Sequence, residues 1–148
     1  MRKLSNQPEF NFFIFGVLLN FPWEFLQVPF FEGMAEAPHW RATVTCALAS
    51  LGDGLILLIA FLTTSSIWRD RFWFMRPHVR QIISYVLVGV IITSVLEHLV
   101  TRSTHPVWSW RYSELMPVVP GLGIGLTPLL QWVLIPPVVA WFSRRQLR

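Results

Sequence analysis

Three carboxyls and one imidazole lie where so apolar a chain has little reason to carry them. Glu24, Asp53, Glu97 and His98 all fall inside long hydrophobic runs. Glu24 sits within Asn20-Phe21-Pro22-Trp23-Glu24-Phe25-Leu26-Gln27-Val28-Pro29, beside two carboxamides and two prolines that lipid does not favour. An ionisable group in hydrocarbon costs at least ~2.5–3.5 kcal/mol on insertion scales, so such groups face a bundle interior and mark function. Three neighbouring carboxyls, with His98 as the only intramembrane cation, cannot all stay ionised without a counter-charge. Some hold protons, or a cation is bound, or Arg41, Arg102 and Arg111 reach in from the border. A carboxyl that keeps its proton beside one that has lost it makes a general acid/base pair. Glu24 and Glu97 are the candidate pair, with Asp53 and His98 tuning or relaying the proton. Asn20, Gln27, Gln131 and the aromatic stretch Trp108, Trp110 and Tyr112 are the candidate substrate-binding groups. The rings in that stretch would stabilise positive charge.

The elements that must position these groups follow from composition. The chain has 148 residues, a mean hydropathy of +0.50 and only 14% charged residues. A soluble domain carries roughly 25%. The expected fold class is therefore an all-α integral membrane protein, with residues 1–148 forming one transmembrane domain. Four apolar stretches, at about 10–31, 42–65, 81–101 and 118–142, are each long enough to cross a bilayer as a helix of ~20 residues. The runs are continuous rather than alternating and too few for a closed barrel.

Charge sets the expected topology. Arg2, Lys3, Arg69, Arg71, Arg76, Arg80, Arg144, Arg145 and Arg148 all fall on one side of such a bundle. Only Arg41, Arg102 and Arg111 fall on the other, with Glu32, Glu36 and Glu114. By the positive-inside rule both termini are cytoplasmic, in a multi-pass protein of the cytoplasmic or plasma membrane. The same clustering accounts for the net charge of +4 without nucleic acid, for which no basic, aromatic-interleaved groove is present. Trp40, Trp68, Trp73, Trp108, Trp110 and Trp141 fall near the expected interfaces, as an aromatic belt would. The N-terminal Arg2 and Lys3 before an apolar run resemble a signal peptide, but no A-x-A-like site follows, so an uncleaved first span is expected.

Helical spacing gathers the polar residues. Asn20, Glu24 and Gln27 share one stripe of the first helix, and Cys46, Ser50 and Asp53 one of the second. Thr93 or Ser94, Glu97 or His98, and Thr101 share one of the third, and Thr127 and Gln131 one of the fourth. With alternating span directions all four sets reach a similar depth, in the outer half. Pro22 and Pro29 in the first span, and Pro128, Pro136 and Pro137 in the fourth, each remove a backbone donor, so kinked first and fourth helices are expected. Gly121 and Gly125 have the spacing of close helix approach, and Gly52 and Gly54 flank Asp53 in the same sense. The loop over 102–117 is the only long one on the outer side and is placed to fold over the bundle mouth.

Several chemistries are excluded. Four scattered histidines cannot build the histidine boxes of membrane di-iron enzymes, and Glu97 and His98 are adjacent rather than spaced as Glu-x-x-His. There is no G-x-S-x-G, no H-E-x-x-H and no Walker loop. The lone Cys46 forbids an intrachain disulfide and a thiol relay. No motif requires a cofactor. Three functions remain compatible. One is an intramembrane enzyme doing isomerase- or cyclase-like acid–base chemistry on a lipid or isoprenoid-type substrate. Small four-helix membrane isomerases and cyclases also place acids inside a bundle, an architectural analogy without a shared motif. The second is divalent metal or cation binding, or transport, through Glu24, Asp53, Glu97 and His98. The third is non-catalytic: a subunit of an oligomer or membrane complex, or a small-ligand binding module.

Overall fold

A computed structural model describes residues 4–105 and 109–148. Trp108 therefore lies outside the described residues, as do Arg2 and Lys3. Four long helices run through the chain: α1 (Pro8–Gln27), α2 (His39–Trp68), α3 (Val79–Val100) and α4 (Leu126–Gln146). Each is long and apolar enough to cross a membrane, so the environment the molecule fits is a lipid bilayer. Among the described residues there is no strand, only two isolated bridges.

The helices pack as a closed ring, with α1 against α2 and α4, and α3 against α2 and α4. The end holding the start of α1 and the end of α4 is here the proximal end; the other is distal. Local chemistry sets the helix bounds. Pro8 starts α1, where its missing N–H costs nothing. Pro29 falls in a 3-10 turn, Val28–Phe30, that ends the span before 31. At the start of α3, Gln81 and His78 form a reciprocal capping box.

The fourth span differs most from expectation. It begins at Leu126, not near 118. Residues 118–125 instead form a turn closed by a Val118–Gly125 bridge, with Gly121 at φ 83° and Gly123 at φ 68°. That left-handed backbone suits glycine and forbids a continuous helix. The glycines serve the turn, and a side chain on Gly121 would meet nothing within 4 Å, so the expected helix-packing role does not hold there. Pro128 sits in the first turn of α4, where a missing N–H is tolerated; only Pro136 and Pro137 lie deeper.

Close approach occurs elsewhere. A Cβ on Gly16 would lie 3.2 Å from the Gly54 backbone, and one on Gly54 would lie 2.6 Å from Val17 and 3.2 Å from the Phe13 carbonyl. These two glycines let α1 and α2 touch. Gly89 of α3 likewise receives the buried indole of Trp132 from α4. Proximal to these contacts lies an apolar plug. Phe12 stacks on Phe61 at 4.2 Å and meets Phe74 and Tyr85 edge-on, with Trp73 filling in from the α2–α3 loop. Trp73 is only 1% exposed, so it is a core residue and not the interfacial anchor its position suggests. Arg71 forks onto Glu9 with two bonds of 2.7 Å, tying the same loop to the start of α1.

The two glycines flanking Asp53 give a paired test. Gly54→Val should lower thermal stability in detergent by about 1–3 kcal/mol, because its side chain enters α1. Gly52→Val, with open space around it, should leave the melting curve near that of the wild type.

Candidate functional site

Polar side chains gather distal to the aromatic plug. On α1 the buried stripe passes through Gly16 and Asn20 to Gln27, and Glu24 lies on it. On α2 it runs Ala42, Cys46, Ser50 and Gly54, with Asp53 beside it. On α3 it runs Gln81, Tyr85, Gly89, Thr93 and Glu97 in strict steps of four. Gln131 enters from α4 at 3% exposure.

The centre of the cluster is a contact between the Glu24 and Asp53 carboxyls, within hydrogen-bonding reach of one another. Two carboxyls can bond only if one carries a proton. Carboxamides hold them in place. Gln131 Nε2 donates to Asp53 Oδ2 at 2.8 Å and to Asn20 Oδ1 at 2.7 Å, and lies 3.3 Å from Glu24 Oε1. Gln27 Nε2 donates to Glu24 Oε1 at 2.7 Å. Asn20 is fixed in turn, its Nδ2 donating to the Gly16 carbonyl at 2.8 Å. The Gln27 Oε1 atom is buried beside this group without a hydrogen-bond partner. The only ion pair among the described residues is Arg71–Glu9, so none of the described Lys, Arg or His side chains pairs with these acids.

Glu97 forms a second centre. Its Oε2 accepts from the Tyr112 hydroxyl and, at 3.3 Å, from Trp110 Nε1. It remains within electrostatic reach of both Glu24 and Asp53. The loop after α3 therefore folds back over the distal end. Its docking is also a backbone matter: Glu32 N–H donates to Arg111 O at 3.0 Å, Ser113 N–H to Phe30 O at 2.9 Å, and Ser113 Oγ to Pro29 O at 2.8 Å.

The sequence-selected residues thus divide. Glu24, Asp53, Asn20, Gln27 and Gln131 come together, and Glu97 joins Trp110 and Tyr112 beside them. The carboxyl touching Glu24 is Asp53, not Glu97. His98 is exposed on a different face of α3 and contacts Arg102 one turn on, so it is not part of the cluster. Adjacent residues diverge by about 100° on a helix, and burying Glu97 turns His98 outward. Among the described residues no three His, Cys, Asp or Glu groups are arranged to hold a metal ion, so the four-residue shell Glu24, Asp53, Glu97 and His98 is not assembled. Thr127 also leaves the polar layer; its hydroxyl contacts the Met116 sulfur at 3.4 Å. The Glu24–Asp53 contact itself was not visible in sequence, because it depends on the azimuth of two helices brought together at Gly16 and Gly54.

No family model, no curated protein and no solved structure matches this chain.

Two outcomes follow. Gln131→Leu removes the shared donor and should destabilise the fold by about 1–3 kcal/mol, read by thermal unfolding in detergent. Burial, and the bond to Glu97, push the Tyr112 phenol above its ordinary range. A phenol held protonated by the fold contributes stability below the unfolded value of about 10 and loses it as pH rises toward the folded one. Loop docking should therefore weaken above about pH 10, seen as faster proteolysis within the loop, and the wild-type minus Tyr112→Phe tyrosinate absorbance should titrate late.

Proposed function

We propose that this protein is an intramembrane acid–base enzyme, with isomerase- or cyclase-like chemistry on a lipid or isoprenoid-type substrate. The observation that supports this most is the Glu24–Asp53 contact, two carboxyls within hydrogen-bonding reach of one another and held by the amides of Gln27 and Gln131. In this arrangement the protonated carboxyl gives its proton to one carbon of a double bond, whose π pair becomes the new C–H bond. The carboxylate partner removes a proton from a neighbouring carbon, and that C–H pair becomes the new double bond. The proton lost by one acid is regained by the other, and transfer across their contact resets the pair. Gln131 and Gln27 hold the two oxygens in place for this exchange. Glu97, Trp110 and Tyr112 close the distal mouth and keep water from the intermediate.

The same proposal includes orientation. Arg69, Arg71, Arg76, Arg80, Arg144, Arg145 and Arg148 border the proximal end, and Arg41, Arg102 and Arg111 the distal one. By the positive-inside rule this excess supports cytoplasmic termini, with the acid pair then in the outer half. Pro22, Pro136 and Pro137 lie inside α1 and α4, and the ladder bonds they remove support kinks in those two helices.

Proton transfer through solvent-exchangeable carboxyls writes deuterium into a substrate. Protein in lipid vesicles, supplied with a total isoprenoid and lipid extract in D₂O, should add one deuterium to at least one species by mass spectrometry. Glu24→Gln and Asp53→Asn should each cut that incorporation by about a hundredfold or more. His98→Ala should leave it within about twofold, since the imidazole points away. Incorporation that survives both acid substitutions, or that never appears with the wild type, refutes the assignment.

A further inference from the structure

Gln27, the last residue of α1, is only 6% exposed. Its Nε2 donates to Glu24 Oε1 at 2.7 Å, while its Oε1 is buried without a hydrogen-bond partner. The carboxamide is planar, so the bond to Glu24 fixes its other end at the edge of the acid cluster. The same Glu24 oxygen also accepts from Gln131 Nε2 at 3.3 Å. Turning the Gln27 amide over would therefore set one acceptor against another. The donors nearby each have a partner already: Gln131 on Asp53 and Asn20, and Asn20 on the Gly16 carbonyl. Thr93 Oγ1, one turn before Glu97 on the buried stripe of α3, is a second buried atom without a partner. A threonine hydroxyl can rotate onto the carbonyl four residues back, which Gln27 Oε1 cannot do. A buried carbonyl oxygen without a donor is costly, and what it lacks is a donor.

We propose that Gln27 Oε1 receives a hydroxyl carried by the substrate of the Glu24–Asp53 pair, so that this substrate is a membrane-soluble free alcohol with its reacting double bond close to the hydroxyl. Oε1 only accepts, so the group it takes must present an O–H or an N–H. An ester, an ether or a bare hydrocarbon presents neither. A phosphate or diphosphate would bring negative charge to acids that no described basic side chain pairs with. The choice of a neutral donor rests on the acid–base function above. An ammonium would also donate, but its charge would let both carboxyls ionise, and no proton would remain for the double bond. A hydroxyl meets the oxygen and leaves that proton in place. One carboxamide spans Oε1 and Glu24, so a double bond within reach of Glu24 is allylic or homoallylic to the hydroxyl.

Retention of lipid by the protein tests this apart from turnover. Protein in nanodiscs made with a total isoprenoid and lipid extract is captured and washed, and its retained species are compared by mass spectrometry with those of empty nanodiscs. The wild type and His98→Ala should both enrich a free alcohol. Gln27→Met keeps the length of the side chain and removes the acceptor, and should lower that enrichment by about tenfold or more. Extract acetylated beforehand, with its hydroxyls capped, should yield no enriched species. Enrichment that Gln27→Met leaves unaltered, or that survives acetylation, overturns the proposal. So does the absence of any enriched alcohol, which assigns Oε1 to water alone. Enrichment of an amine instead overturns the hydroxyl and the acid–base function together. If Gln27→Met does not fold, the acetylation comparison on the wild type decides. Alcohol enrichment without Glu24-dependent deuterium incorporation removes the acid–base function alone; incorporation into a species without a hydroxyl removes the alcohol alone.

Discussion

Two carboxyls in contact inside an apolar bundle need a shared proton or a counter-charge between them, and donors around them. That contact, Glu24 with Asp53, sets requirements on most of the chain. Gln131 must arrive from α4 to bond Asp53 and Asn20, and Gln27 must turn back to Glu24. The register of α1, α2 and α4 is thereby coupled through one set of hydrogen bonds. The contact also needs α1 and α2 closer than bulky side chains allow, which Gly16 and Gly54 permit. The acids and the glycines are one structural device.

The bundle separates its tasks along its length. Proximal packing is aromatic and apolar, built on Phe12, Phe61, Trp73, Phe74 and Tyr85. It gains ring–ring contacts and buries large side chains, which supports a distal half whose polar residues contribute less to cohesion. Distally, the loop after α3 completes the enclosure by bonding Glu97 through Trp110 and Tyr112 and by pairing with the backbone at 30–32. One end is sealed by packing and the other by hydrogen bonds.

On the proposed reading, the acid pair would act on a reactant that is hydrocarbon along most of its length. The exposed His98 and the unassembled four-residue shell leave the metal-centred alternative without a geometric basis among the described residues.

The membrane class and the four helices were legible in the sequence, because hydrophobic run length and low charge are one-dimensional properties. So was the gathering of Asn20, Glu24, Gln27, Asp53, Glu97 and Gln131, since helical periodicity fixes which residues share a face. The start of α4 was misplaced because Val118–Gly125 is as apolar as a span, while its left-handed glycines make it a turn. Trp73 was misassigned because an indole near a helix end can face either lipid or core. The partner of Glu24 was beyond sequence for the same reason: periodicity gives the face of each helix but not the rotation of one against another. Tertiary packing at Gly16, Gly54 and Gly89 decided that rotation, and with it that Asp53 meets Glu24, that Glu97 meets the loop, and that His98 faces outward.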